Sequence, residues 1–347
     1  GLSVVMDDGA VKVIAPMRGS PAEKAGVKAG DFITHLDGKL IYGGELDDAV
    51  AQMRGEAGTK IRLTLFRAGR DQPFDVTVTR GVIELEPVTA KLDKGVGVIA
   101  VNEFSRDVGV DVNAAIADLK KQAGGKLTGL VLDLRQNPGG SLDEAVALSD
   151  LFLTTGDIVS QRGRVSSENE YYRADSMIKG DVAKGLPIVV LIDAGSASAS
   201  EIVAGALQDQ GRAVIMGERS FGKGSVQSLF NLDRAHAVKL TTARYYTPKG
   251  HSVQEGGIEP DIRVPQLTDP DARRRSELAV RESDLRRHLV NELGIEDKKL
   301  EADLQDDPRF KQTPEQLKTA GITDFQLHYA VETLRRTGAP ALAAKKR

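Results

Sequence analysis

Three serines on alternate positions, Ser196, Ser198 and Ser200, lead into an apolar run that carries Ile202, Val203, Ala204 and Leu207. A serine at the start of such a helix could be a nucleophile, because free N–H groups there favour negative charge developing beside it. Serine alone attacks poorly and needs a base. The nearby histidines, His236 and His251, sit in no triad-like setting, and Ser198 lacks the G-x-S-x-G frame of many Ser-His-Asp hydrolases. Lysine is the alternative. Lys223 lies between Gly222 and Gly224, with Phe221 beside them. A lysine accepts a proton only when neutral, a state that burial or a neighbouring cation favours. The glycines allow close backbone approach, and Phe221 can help exclude water. Activity from such a pair should rise with pH. From chemistry alone, all three serines stay open.

The lysine segment has a rival reading. Gly217 to Lys223 follows most of G-x-x-x-x-G-K-[ST], the phosphate-binding loop. The next residue is Gly224, so the hydroxyl that would hold Mg²⁺ is missing, and Val226–Phe230 reads as strand where that loop opens a helix.

The elements that must position these groups are those of an α/β unit over residues 85–265. Leu127–Leu134 and Pro187–Ile192 are nearly all apolar, as strands in mid-sheet are. The first runs into Asn137-Pro138-Gly139-Gly140 and the second into Gly195–Ser200, each followed by a helical pattern, at 142–153 and to about Gln208. Both loops therefore fall at the carboxyl edge of one sheet, where open α/β folds place their sites. Further strands are expected at Gly95–Val101, Val214–Gly217, 225–231 and 237–246, and a helix at 108–122.

Residues 1–84 form a separate unit. A strand at Val11–Ile14 precedes Ser20-Pro21-Ala22-Glu23-Lys24-Ala25-Gly26, a short helix with Ser at its cap, Pro in its first turn and Gly as its stop. A strand ending at Asp37-Gly38, a helix at 45–54 and two alternating strands, Ile61–Phe66 and Phe74–Val78, complete it. Residues 266–347 are charged and helix-prone, clearest at 271–293 and 324–336.

Composition removes other functions. Cys is absent, which excludes thiol catalysis, thiolate metal sites and disulfides. A net charge of −3 and sparse aromatics disfavour a nucleic-acid surface. No apolar run is long enough to span a bilayer. The sequence opens at Gly1 and reads as truncated or processed, with a leader or anchor expected upstream.

Long blocks of this sequence resemble a known family. Gly195-Ser196-Ala197-Ser198-Ala199-Ser200-Glu201 through Asp209 is similar to the nucleophile segment of carboxyl-terminal processing (tail-specific) proteases. Gly217-Glu218-Arg219-Ser220-Phe221-Gly222-Lys223-Gly224-Ser225-Val226-Gln227 is similar to their lysine segment, and Tyr245–Gly250 and Gly257–Asp261 to their closing strands. Gly1-Leu2-Ser3-Val4 with Ser20–Asp31 resembles a bacterial, circularly permuted PDZ domain.

The resemblance implies a multi-domain α/β architecture: a PDZ domain at 1–84, a crotonase-like (ClpP-type) serine protease core at 85–265, and a charged helical C-terminal extension at 266–347. It implies Ser198 as nucleophile, with Ser196 and Ser200 capping or packing. It implies Lys223 as base, Gln227 orienting that lysine, and the N–H groups of Gly140 and Ala199 as oxyanion hole, with no cofactor. It further implies that Gly1, Leu2, Ser3 and Val4 hold a substrate C-terminus that adds as an edge strand. Expected partners are proteins or peptides with apolar C-termini, with a homodimer or an adaptor protein as further candidates and a periplasmic or extracytoplasmic location. Arg80, before the linker, is expected to couple the two units. The alternative is a catalytically silent PDZ-containing scaffold.

Overall fold

The computed structural model describes residues 1–343 apart from 8, 18, 83–85, 175–179, 234–235, 255 and 269–309. The first unit is built on an antiparallel sheet. Its strands are β1 (Leu2–Asp7), β2 (Ala10–Pro16), β3 (Phe32–Leu36), β5 (Lys60–Phe66) and β6 (Phe74–Thr79), paired in that order, with β4 (Lys39–Leu40) beside β3. Two helices, α1 (Pro21–Lys24) and α2 (Leu46–Met53), close it. Ser20 caps α1 by accepting the Glu23 N–H, as its sequence pattern anticipates. Asp37 and Gly38, both with positive φ, make the turn between β3 and β4. Alternation along β5 buries Ile61, Leu63 and Leu65 in a core with Val11, Val13 and Ile33.

The second unit is a six-stranded sheet in the order β16 (Ile262–Arg263), β13 (Val214–Gly217), β12 (Ile188–Ile192), β9 (Gly129–Asp133), β8 (Val96–Val101) and β7 (Val88–Asp93). All pairs are parallel except β7 with β8. Every residue of β8, β9 and β12 is buried, because helices cover both faces. On one face lie α3 (Val108–Gln122), α4 (Leu142–Asp150) and α5 (Ala199–Asp209). On the other lie α6 (Pro314–Thr319) and α7 (Phe325–Ala343), where Leu317, Phe325, Val331 and Leu334 pack on Val98, Val131, Val189 and Leu191. Part of the segment expected as an extension thus forms one wall of this core. Each of these aliphatic burials stabilises by about 1.5–3 kcal/mol. The helix expected at 271–293 lies outside the described residues.

A second antiparallel sheet stands beside the core, in the order β11 (Glu170–Arg173), β10 (Asp157–Gly163), β15 (Ala237–Tyr246) and β14 (Ser225–Asn231). Strands β7, β10 and β11 have no clear sequence signal. All three are partly exposed, which weakens their apolar patterning. Among the described residues no helix is long and apolar enough to cross a membrane.

Candidate active site

Strands β9 and β12 are parallel neighbours, with Leu191 opposite Asp133, so the loops that leave them emerge side by side. Two polar side chains fasten these loops together. The Asp193 carboxylate accepts the Gln136 N–H and the Gly195 N–H, each at 2.9 Å, and the Gln136 side-chain amide. Asn137 is wholly buried. Its amide donates to Val101 O at 2.8 Å and accepts the Gly139 N–H at 2.9 Å. Its own carbonyl accepts the Ala197 N–H at 3.0 Å and the Ser200 hydroxyl at 2.9 Å.

This bonding separates the three serines. The Ser196 hydroxyl donates to Leu134 O at 2.8 Å, and the Ser200 hydroxyl donates to Asn137 O. Both residues are fully buried. Ser198 alone of the three is partly exposed. It caps α5 with φ +55° and ψ −112°, a conformation rare for a residue with a Cβ and common at functional turns.

Two backbone N–H groups belong to the loops that meet at this turn. Ala199 opens α5, so its N–H has no partner within the helix. Gly140 forms a parallel bridge with Phe104, in which the Phe104 N–H donates to Gly139 O at 2.9 Å and Phe104 O accepts from Ser141 N at 2.8 Å. That pattern turns the Gly140 N–H away from Phe104. The loop tolerates no side chain here. A Cβ on Gly140, at φ +144°, would stand 2.4 Å from Phe104 O. One on Gly139 would stand 2.7 Å from Ala197 O, 2.9 Å from Ser198 Cβ and 3.0 Å from Ala199 N. Gly139 therefore presses against the serine turn itself, and Gly140 against Phe104.

The lysine segment arrives from β13. Phe221 is buried, and its N–H donates to Ser196 O at 3.0 Å. After Lys223 the chain enters β14 rather than a helix, which removes the phosphate-loop reading. Gly224 lets that strand pass close to Gln254, since a Cβ on it would lie 2.4 Å from Gln254 N.

The residue that joins nucleophile and base segments is Glu201, three positions after Ser198 and fully buried. Its Oε2 accepts the Ser198 N–H at 2.7 Å and the Lys223 N–H at 2.9 Å. Its Oε1 accepts the Ser220 hydroxyl at 2.6 Å and the Gly222 N–H at 2.7 Å. Burial pushes the carboxyl up to about 7, against the pull of these four donors. The sequence alone does not single out Glu201. An acidic residue in a helix's first turn reads as a complement to the dipole, and its partners lie about twenty residues further along.

The structure thus gathers Ser198, Lys223, Gly140 and Ala199 at one sheet edge. The Ser198 hydroxyl and the Lys223 amine are not hydrogen-bonded to each other; such contacts often tighten only when substrate binds. Gln227 stands exposed on β14 opposite Thr241, without a hydrogen bond to Lys223. Its expected orienting contact is therefore not formed. His236, between β14 and β15, is exposed and bonded to Asp233, and His251 is also exposed. Arg80 makes its hydrogen bonds within the first unit, to the carbonyls of Met53, Gln52 and Lys60 and to the Thr59 hydroxyl. It braces the end of α2 against β5, and no contact to the second unit is among these bonds. Leu2, Ser3 and Val4 lie on β1, an edge strand with one side unpaired, and Gly1 O accepts from the Met17 N–H and the Ser20 hydroxyl.

Comparison with known proteins bears on this geometry. Residues 95–264 match peptidase family S41, and residues 12–67 match the PDZ domain family. A carboxy-terminal-processing protease of Bartonella bacilliformis is 48% identical over 83% of this chain and 66% of its own length. A carboxyl-terminal-processing protease of Synechocystis sp. is 38% identical over 74% of this chain and 59% of its own. The chain therefore spans somewhat less than two thirds of these curated relatives. Among solved structures, the photosystem II D1 C-terminal processing protease superposes with a TM-score of 0.67 at 32% identity, over 76% of this chain and 71% of that one. With a serine turn, a lysine segment and a glycine loop joined at the edge of a sheet, and a PDZ domain ahead of them, this chain belongs to peptidase family S41.

Proposed function

We propose that the protein is a serine endopeptidase of the carboxyl-terminal processing type, with Ser198 as nucleophile and Lys223 as general base. The observation that carries this reading is the shared Glu201 oxygen, which ties the amides of both residues to one point. Neutral Lys223 takes the Ser198 proton, and the serine oxygen attacks the scissile carbonyl. The carbonyl oxygen becomes anionic within reach of the Gly140 and Ala199 N–H groups. Lys223 then protonates the leaving amine, and water, deprotonated by the same lysine, releases the acyl group from Ser198. Gln227 enters the account as a residue that would orient Lys223 only after β14 moves.

The PDZ domain supplies selection. Substrate C-termini, apolar and unstructured, would add along the open side of β1 and place their carboxylate near Gly1–Val4. An extracytoplasmic location rests on the likeness to bacterial carboxyl-terminal processing proteases.

Cleavage of casein, an unfolded protein, by wild type, Ser198→Ala and Lys223→Ala tests the proposal. Wild type should cleave, and each variant should lose at least a hundredfold. Undiminished cleavage by either variant removes the pair, and a chain that binds substrate tails without cutting them is a scaffold.

A further inference from the structure

The oxyanion loop is anchored at its root by a residue of the C-terminal segment. Arg135 leaves β9 two positions after Asp133 and five before Gly140, and its side chain is 7% exposed. A guanidinium has five N–H donors, and here each has an acceptor. Asp133 takes Nε at 2.8 Å and Nη2 at 2.8 Å. Asp324 takes Nη1 at 2.9 Å and Nη2 at 2.7 Å. Gln326 Oε1 takes the remaining Nη1 donor at 3.0 Å. Two of the three acceptor residues therefore come from the start of α7, almost two hundred residues away in sequence.

That helix end is itself held fast. Asp324 accepts the Leu327 N–H at 3.1 Å, as a helix cap does, and the Gln266 amide at 2.9 Å. Gln266 in turn accepts the Phe325 N–H at 2.8 Å, and Gln326 donates to Val264 O at 2.8 Å. Arg135 lowers the Asp324 carboxyl below its ordinary range. Immediately after Arg135 the chain turns through Gln136 at φ +58°, bonded to Asp193, and enters Asn137–Gly140.

We propose that Asp324 is a positioning residue for peptide-bond cleavage, acting through Arg135 to hold the Gly140 N–H in place beside Ser198. The inference rests on the protease reading above. A loop that must aim one N–H at an oxyanion tolerates little displacement. Replacing Asp324 by Asn removes the charge beside a buried guanidinium and sets an NH₂ group against one of its donors, and its relief is movement of the loop it roots. The start of α7, at Asp324 and Gln326, then positions the loop, while the rest of the helix covers the sheet.

The test is steady-state casein cleavage by the full chain. Asp324→Asn keeps the helix cap, since Asn caps as well as Asp, and removes the charge. Leu334→Ala is the control. It weakens α7 at its buried apolar face, away from Arg135. Far below either melting temperature, Asp324→Asn should lower kcat at least tenfold with KM within twofold, and Leu334→Ala should leave both within twofold. Asp324→Glu, which restores the charge, should recover part of kcat. If Asp324→Asn is insoluble, Gln326→Ala replaces it, with a smaller loss of kcat expected at unchanged KM. Wild-type kcat in Asp324→Asn, or an equal loss in Leu334→Ala, overturns the proposal. Ser198→Ala run alongside separates this outcome from failure of the protease reading, because cleavage that survives it is not this site's.

Discussion

Glu201→Gln is the most informative single change. The carboxylate serves four donors: the amides of Ser198, Gly222 and Lys223 and the hydroxyl of Ser220. Glutamine preserves the shape and replaces one oxygen with an NH₂ group. Two of the four donors then face another donor. A buried donor left without an acceptor costs about 1–3 kcal/mol, so the pair amounts to roughly 2–6 kcal/mol. In a chain of this size each kcal/mol shifts the melting temperature by about 2–4 °C, so a fall of about 5–20 °C is expected from these two principles together. The same bonds fix the backbone of nucleophile and base. A misplacement that costs the transition state about 1.4–2.7 kcal/mol lowers kcat ten- to a hundredfold. Melting followed by circular dichroism and initial rates on casein measure both quantities. A variant that keeps its melting temperature within 2 °C and its kcat within about twofold would refute the view that this carboxylate holds the site together.

The pH dependence carries a sign. Burial raises the Glu201 carboxyl to about 7, above its ordinary 4.5. Its contribution to stability is therefore full below 4.5 and is lost as pH rises through about 7. Activity should run the opposite way, because the ionised form accepts all four donors; cleavage should gain an acid limb near pH 7 that Glu201→Gln lacks. Gly140→Ala places a Cβ against Phe104 O and should abolish cleavage, by casein assay, while the fold survives by circular dichroism. Ser196→Ala removes the hydroxyl that donates to Leu134 O and accepts the Asp193 N–H, so it should cost about 1–3 kcal/mol in urea unfolding yet retain activity. Gln227→Ala should alter kcat less than Glu201→Gln does. Arg80→Ala should lower the stability of the first unit, whose α2 it braces. Unchanged dependence of cleavage on the substrate's C-terminal residues in that variant would remove Arg80 from any account of gating.

Much of this architecture was legible in the sequence because its signals are local. β12 is all apolar and β9 is so up to Asp133, and a strand covered on both faces reads that way. The glycine loop and the serine turn fall where strands end, so their placement at one sheet edge followed from strand and loop order. What stayed hidden depends on partners distant in sequence. Ser196 and Ser198 differ in type not at all; they differ because Leu134 O waits for one hydroxyl and not for the other. Glu201 looks like an ordinary first-turn acid until the chain returns with Ser220, Gly222 and Lys223. Gln227 shows the converse. Four residues beyond Lys223, it stands exposed on β14 opposite Thr241, without a hydrogen bond to the lysine. Residues 266–347 read as a charged helical extension, yet the apolar side chains of α7 cover the sheet.

The central claim is that Ser198 is the nucleophile and Lys223 its base. Phosphonylation by a fluorophosphonate probe, located by peptide mass mapping and timed in wild type and Lys223→Ala, tests it most directly. The expected result is a single adduct on Ser198, faster at higher pH, and slowed at least a hundredfold without the lysine. An adduct on Ser196 or Ser200, or an undiminished rate in Lys223→Ala, would contradict it.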